Sequence, residues 1–160
     1  MEAYERAKKS LPAFTPSATF KGGRKIEFLQ EYTHIVVLDI DKITQEQLSN
    51  AKILTNENQY TFASFISLSG NGLKILVKVN SNKEEHKEAF LKLQKYYEEL
   101  LTLSIDKSGK DITRLCFVSY DAELYLNENA SFFPVVNPSH SELASASHRN
   151  NSNLELTLIT

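Results

Sequence analysis

The chain contains only one cysteine, Cys116, among its 160 residues, so an internal disulfide is excluded. Such sparse use of cysteine is typical of proteins in a reducing compartment, and we expect a cytoplasmic location. Cys116 lies in the apolar run 115–118. A lone cysteine in such a run is expected to be a small core residue of a strand, not a nucleophile.

The sequence also lacks a long hydrophobic run. No apolar stretch approaches the roughly 18 residues that a membrane-spanning helix needs. The first ten residues contain five charged side chains, which does not fit the apolar core of a secretory signal. We therefore expect no membrane partner.

An excess of positive charge is absent as well. The 18 Lys and Arg residues and 20 Asp and Glu residues give a net charge of −2. This balance excludes an indiscriminately basic DNA-binding protein, so a nucleic-acid role would need a local basic face. The hydrophobic fraction of 41% and the length are those of one ordinary globular domain.

The pattern of apolar residues predicts an α+β fold, with helices packed on a mixed or antiparallel sheet. The 60–67 and 73–79 strands are expected to form a hairpin around the turn 69–72. The other predicted elements are strands at 34–39 and 114–120, helices at 2–10, 44–52 and 83–102, and a loop at 104–111.

The composition changes after Pro134. Residues 137–153 are mostly Ser, Asn, His and Ala, with little to bury. We therefore predict a domain at 1–136, followed at 137–160 by a polar linker or truncated C-terminal tail. The segment 154–159 alternates like a strand that lacks a partner.

The most informative motif is Asp39-Ile40-Asp41-Lys42, at the end of an apolar strand. Side chains alternate along a strand, so Asp39 and Asp41 are expected on the same face. Neighbouring carboxylates repel, and a divalent cation bound to both removes that conflict. The alternative is that Asp39 ends the strand and Asp41 caps the next helix.

The turn of the predicted hairpin forms a second polar cluster. Ser67, Ser69 and two glycines precede Lys74. Glycines allow backbone N–H groups to approach an anion, and a lysine adds a point charge for phosphate. The spacing of a P-loop is missing. The alternative is an ordinary turn with Lys74 facing solvent.

A third cluster spans residues 106–114. Asp106 can add a carboxylate to a metal site, since hard divalent cations prefer oxygen ligands. Arg114 can bind a phosphate through its planar guanidinium, and Asp111 can orient Arg114 or a metal-bound water. The alternative is a loop in which Asp111 and Arg114 pair. Together, the three clusters predict a site for Mg²⁺ or Mn²⁺ and a nucleotide.

The histidines and aromatic residues carry less information. No two histidines have metal-ligand spacing, and His86 is expected on the charged face of the 83–102 helix. Four aromatic residues can either stack on bases or pack in the core: Tyr120, Tyr125, Phe132 and Phe133.

These clusters and their flanks resemble the VirE N-terminal domain family of bacterial and mobile-element proteins. The resemblance covers roughly residues 8–135. Members often precede a helicase-like or other replication domain, which suits the polar tail. The segments that carry the resemblance are 11–17, 38–42, 65–74, 106–111 and 114–121.

This family in turn looks like a divergent branch of the archaeo-eukaryotic primase superfamily, which holds two divalent metals with an Asp-x-Asp pair and a later acid. The resemblance implies that Asp39, Asp41 and Asp106 are the catalytic metal ligands. Lys74 stands where the superfamily has histidine, and lysine cannot supply the acid–base role of imidazole. The residues implied to bind the nucleotide are Ser67, Ser69, Lys74 and Arg114.

The sequence thus predicts a primase-polymerase-like, metal-dependent, nucleotide-binding domain of a mobile-element or phage-type replication protein. The expected partners are a nucleoside triphosphate, a single-stranded nucleic-acid template and a helicase domain or partner. One alternative is a non-catalytic nucleotide- or nucleic-acid-binding module that positions a helicase. Another is a haloacid-dehalogenase-like phosphatase with Asp39 as its nucleophile.

Overall fold

The structure, a computed structural model, describes residues 10–135. The helix predicted at 2–10 and the tail predicted at 137–160 lie outside this range. The elements in chain order are β1 (Ala13–Phe14), β2 (Ala18–Phe20), β3 (Leu29–Tyr32), β4 (Ile35–Ile40), α1 (Gln45–Asn56), β5 (Thr61–Ile66), β6 (Leu73–Lys78), α2 (His86–Leu101), β7 (Cys116–Phe117) and β8 (Tyr125–Leu126). Short 3-10 turns occur at Ile26–Phe28 and Lys107–Lys110.

The central element is a four-stranded antiparallel sheet with the order β4-β6-β5-β8. The predicted hairpin is confirmed as β5 and β6. Because β4 and β5 both run antiparallel to β6, they are parallel to each other, and α1 connects them across the intervening strand. Helices packed on an antiparallel sheet confirm the predicted α+β class.

One face of the sheet packs against both helices. Alternate residues of β4 and β6 meet the apolar side of α2, where Phe90, Leu93 and Tyr97 are fully buried. This burial follows from period-2 alternation in the strands and helical spacing in α2. The strand residues in this core are Val36, Leu38, Ile40, Leu73, Ile75 and Val77.

The opposite face has a smaller core. Val37, Phe65 and Leu76 pack there with Cys116 of β7, and β7 pairs with β1. Burial raises the pKa of the Cys116 thiol to about 11, which confirms its prediction as a core residue of a strand. Asp39 and Lys74 belong to this face, because each lies two positions from an inward residue, Val37 or Leu76.

Helix α1 begins with a capping box. Thr44 accepts a hydrogen bond from the Gln47 N–H, and the Gln47 side chain accepts one from the Thr44 N–H. The alternative in which Asp41 caps this helix is therefore wrong, and the helix extends past the predicted end at residue 52. Within residues 10–135, no helix has the length and apolar character needed to span a membrane.

The segment predicted as a strand at 114–120 is regular only at Cys116–Phe117. Beyond it, side chains replace the ladder of backbone hydrogen bonds. The buried Asp121 carboxylate accepts from the Ile66 N–H at 2.9 Å and from Lys52 Nζ at 3.2 Å. Burial raises the pKa of Asp121, but hydrogen bonds from backbone N–H groups and Lys52 outweigh it, so that pKa lies below its usual value.

His86 at the start of α2 is 2% exposed, so its predicted place on the charged helix face is wrong. Its Nδ1 lies 3.1 Å from the Tyr32 hydroxyl, and its Nε2 lies 3.3 Å from the Gly109 carbonyl oxygen. The ring therefore connects β3, α2 and the Lys107–Lys110 turn. Burial lowers the pKa of His86 below 6.5.

We predict that the free energy of unfolding falls as the pH is lowered from about 7.5 to 5.5. The folded state holds His86 neutral, whereas the same histidine in the unfolded chain binds a proton near pH 6.5. The contribution of His86 to the free energy of unfolding is therefore fully present above that pH and is lost as the pH falls below it. Urea titrations at several pH values measure the slope. His86→Gln should flatten this slope. An unchanged slope in His86→Gln contradicts the prediction.

Candidate functional site

A cleft of about 530 Å³ lies beside the C-terminal end of β4 and the N-terminal end of β6. Most of its lining comes from three parts of the chain: the end of β4, the β5–β6 turn with the start of β6, and the segment 108–117. Each of these three parts contains one of the polar clusters found in the sequence. Seven of the eight predicted site residues line the cleft: Asp39, Asp41, Ser67, Ser69, Lys74, Asp111 and Arg114.

A buried ion pair forms the floor of this cleft. Asp39 of β4 lies directly opposite Lys74 of β6 in the antiparallel register, and Lys74 Nζ donates to Asp39 Oδ2. The two side chains are only 8% and 12% exposed, so Lys74 does not face solvent as the alternative proposed. Arg114 Nη2 lies 3.7 Å from the same oxygen and brings a second cation to Asp39.

The other carboxylate oxygen of Asp39 has a different environment. Asp39 Oδ1 is buried and accepts no hydrogen bond, because both nearby cations lie at Oδ2. A buried carboxylate oxygen without a partner is costly, and such atoms are rare unless an ion or water completes them. One buried carboxylate oxygen of a cleft-lining residue is thus left unsatisfied by protein groups.

The β5–β6 turn packs tightly against the end of β4. A Cβ on Gly72 would lie 2.3 Å from the Ile40 carbonyl oxygen and 3.2 Å from Asp41 Oδ1, so glycine is required there. Ser67 Oγ and Ser69 Oγ are 3.1 Å apart. This close approach places the hydroxyls of the turn and the exposed Asp41 carboxylate beside the same cleft.

Asp106 is the one predicted site residue whose side chain does not line the cleft. Its backbone N–H donates to the Asp39 carbonyl oxygen at 2.8 Å, which fixes it beside β4. Its carboxylate instead accepts from the Ser108 N–H at 2.6 Å and caps the Lys107–Lys110 turn. Hydrogen bonds from Ser108, together with the charges of Arg114 and Lys74, lower the pKa of Asp106.

Asp111 and Arg114 lie on the cleft wall but do not pair through their side chains. The Asp111 carboxylate accepts from the N–H and hydroxyl of Thr113, both at 2.9 Å. The Arg114 N–H donates to the Asp111 carbonyl oxygen, while the guanidinium faces Asp39. The alternative of a simple Asp111–Arg114 ion pair is therefore wrong.

The cleft is also lined by two cationic residues that the sequence analysis did not identify, Arg24 and Lys110. Arg24 reaches it from the loop before β3 and donates to the Thr113 carbonyl oxygen at 2.5 Å. The only sequence feature that could have pointed to Arg24 is its position directly after the Gly22-Gly23 turn. Lys110 lies inside the third sequence cluster but received no role. The cleft thus combines four cationic side chains with three carboxylates.

The aromatic residues with two possible roles divide between core and surface. Phe133 is in the core and makes edge-on contacts with Tyr60 and Tyr96. Tyr120 is 91% exposed and Phe132 is 56% exposed, and neither lines the cleft. Core packing thus accounts for Phe133. Among residues 10–135, no contact indicates a ligand for Tyr120 or Phe132.

No group of three or more His, Cys, Asp and Glu side chains within residues 10–135 is placed so that it could hold a metal ion. Asp39 and Asp41 reach the cleft, but the third predicted acid, Asp106, is engaged with Ser108. Any cation held here by Asp39 and Asp41 therefore needs further oxygen ligands from water or from a bound molecule.

The fold and site define an α+β domain whose sheet presents a cleft of mixed charge, with one carboxylate oxygen unsatisfied. The sequence matches the family described as BT4734-like, N-terminal domain, over residues 6–126. The chain therefore belongs to that family. Comparison with curated proteins and with solved structures gives no match. The matched region includes every predicted site residue.

We predict strong energetic coupling between Asp39 and Lys74. Lys74→Met leaves a buried carboxylate without its main partner and should lower the free energy of unfolding by about 3–5 kcal/mol. Adding Asp39→Asn should recover about 1–3 kcal/mol relative to additivity. Chemical denaturation of the single and double variants measures this coupling.

The exposed pair Lys25–Glu27 provides a matched control, with side chains 73% and 61% exposed. Its coupling should stay below about 0.5 kcal/mol, since surface pairs are screened by solvent. Additive effects at Asp39 and Lys74 would show that the buried pair does not act as a unit.

Proposed function

We propose that this domain binds a nucleoside triphosphate together with Mg²⁺ or Mn²⁺ and acts as a primase-polymerase-like nucleotidyltransferase. The observation that carries the proposal is Asp39 Oδ1, a buried carboxylate oxygen with no hydrogen-bond partner, on a residue that lines a cleft together with Asp41 and several cations. A divalent cation can bind the carboxylates of this cleft, while the phosphates of the same nucleotide bind its cationic side chains.

Asp39 and Asp41 would hold the metal. Mg²⁺ is often bound by only one or two carboxylates together with substrate phosphates and waters, so two acids suffice once a nucleotide is present. When bound, the metal neutralises phosphate charge and activates the attacking hydroxyl.

The basic residues of the cleft would position the phosphates. Arg114 presents a planar guanidinium and Lys74 a compact charge, and Arg24 and Lys110 add two further cations to the lining. The Ser69 hydroxyl donates to Asn71 Oδ1 and contacts the Ser67 hydroxyl, and both hydroxyls can turn to donate to phosphate oxygens. Asp111 supports this wall by fixing Thr113 and the backbone of Arg114.

The biological setting of the proposal rests on the resemblance to the VirE N-terminal domain family and, through it, to the archaeo-eukaryotic primases. On that basis we assign the domain to a replication protein of a mobile element or phage, acting in the cytoplasm. Its template would be single-stranded nucleic acid, and a helicase domain would be its partner.

A second function, nucleotide binding without turnover, is favoured by one observation. Lys74 already pairs with Asp39 Oδ2, and the resemblance to the archaeo-eukaryotic primases implies a histidine at its position. A lysine held in this way attracts phosphate but cannot exchange protons near neutral pH as imidazole does. In this case the domain would present nucleotide or nucleic acid to a helicase partner.

We predict Mn²⁺-dependent binding of a nucleoside triphosphate to the 160-residue chain. Asp41→Asn, at an exposed position, should weaken this binding about ten-fold or more, which corresponds to roughly 1.4 kcal/mol. Asp39→Asn should do the same. Calorimetry with and without the metal measures affinity, and primer extension on a single-stranded template measures turnover.

Glu31→Gln, an exposed acid of β3, serves as the matched control and should bind as the parent does. Asp106→Asn tests the third predicted ligand separately. Undiminished binding and extension after both Asp39→Asn and Asp41→Asn would overturn the metal assignment. Binding without extension under either metal supports the second function. Release of phosphate from a simple ester would support the phosphatase alternative instead.

A further inference from the structure

A second cleft, of about 790 Å³, lies between α2 and the segment 104–110. One wall is the exposed side of the helix, and the other is the segment that leads into the Lys107–Lys110 turn. The floor is apolar, formed by the buried Phe90 and Ile105, and Leu91 is 50% exposed at its side. None of the predicted site residues lies in this cleft.

Lysines occupy both walls of this second cleft. Lys87 and Lys95 come from α2, and Lys107 and Lys110 come from the opposite turn. All four side chains are exposed, and within residues 10–135 none of them forms an ion pair. Unpaired cations on both sides of a concave surface indicate an anionic ligand.

The arrangement suits an extended ligand better than a single phosphate. Lys87, Leu91 and Lys95 are spaced at four-residue intervals and share one side of α2. Eight residues of helix span about 12 Å, which is the length of three to four stacked nucleotides. The half-exposed Leu91 between the two lysines offers apolar surface to a sugar or base.

Charge within the cleft is graded along its length. Glu98 and Glu99 lie at the end near Ile105, where Glu98 accepts from the Ile105 N–H at 2.9 Å. The basic end is formed by Lys87 and the Lys107–Lys110 turn. Lys110 lines both this cleft and the Asp39 cleft, so the basic end leads directly to the proposed nucleotide site.

We propose that this lysine-lined cleft holds the phosphodiester backbone of a single nucleic-acid strand and directs it toward the Asp39 cleft. The inference rests on the proposed function, because a strand that meets a bound nucleotide must approach along a neighbouring basic surface. Recognition is electrostatic and independent of base sequence, since lysine acts as a point charge on phosphate.

The test measures binding of fluorescein-labelled oligo-dT and oligo-rU to the 160-residue chain by anisotropy, over a series of salt concentrations. Lys87→Gln/Lys95→Gln should weaken binding about ten-fold and lower the slope of log affinity against log salt by about 1.4, the value for two phosphate contacts on a single strand. Lys107→Gln, on the opposite wall, should lower the slope by about 0.7.

Lys83→Gln/Lys92→Gln provides the matched control. It removes the same charge from positions beside and within α2 that line neither cleft, so affinity and slope should stay those of the parent. Equal losses in both double variants would overturn the proposal, because they would show only the effect of net charge. Binding of fluorescein-labelled poly-glutamate without any binding of oligonucleotide would assign the cleft to an acidic peptide and also overturn the proposal.

The two proposals fail separately. If Lys87→Gln/Lys95→Gln binds oligonucleotide as the parent does while Mn²⁺-nucleotide binding still depends on Asp39 and Asp41, the strand path is wrong and the nucleotide site stands. If oligonucleotide binding depends on these lysines while Asp39→Asn and Asp41→Asn leave nucleotide binding unchanged, the strand path stands and the nucleotide site is wrong.

Discussion

The buried ion pair between Asp39 and Lys74 is the constraint on which the site depends. The β4–β6 register places the two residues opposite each other, and neither carries enough exposed area to be solvated alone. A charge buried without its partner is strongly destabilising, so the pair fixes both the register and the position of the cleft floor. Arg114 then reaches Asp39 from a separate part of the chain.

Packing around this pair explains why three distant segments meet. Gly72 allows the β5–β6 turn to contact Ile40 and Asp41. Gly109 does the same for the Lys107–Lys110 turn, because a Cβ there would lie 2.5 Å from the Val37 carbonyl oxygen and 2.7 Å from the Phe90 ring. His86 also contacts this turn, because its Nε2 lies 3.3 Å from the Gly109 carbonyl oxygen. The same turn carries Lys110, which belongs to both clefts.

The site has one charge that protein groups do not satisfy, and this leads to the proposed chemistry. Both cations nearest Asp39 lie at one oxygen, which leaves Oδ1 buried without a hydrogen bond. In the proposed function, a metal–nucleotide complex would supply a cation for that oxygen and phosphates for the surrounding arginine and lysine side chains.

The sequence by itself determined the α+β class, the β5–β6 hairpin, the two helices and seven of the residues that line the cleft. These follow from local periodicity, turn residues and the spacing of polar clusters. Only the tertiary structure decided that Asp106 caps a turn, that His86 is buried and that Arg24 enters the cleft. Contacts between segments far apart in the chain set those positions, and such contacts leave no periodic signal in one sequence.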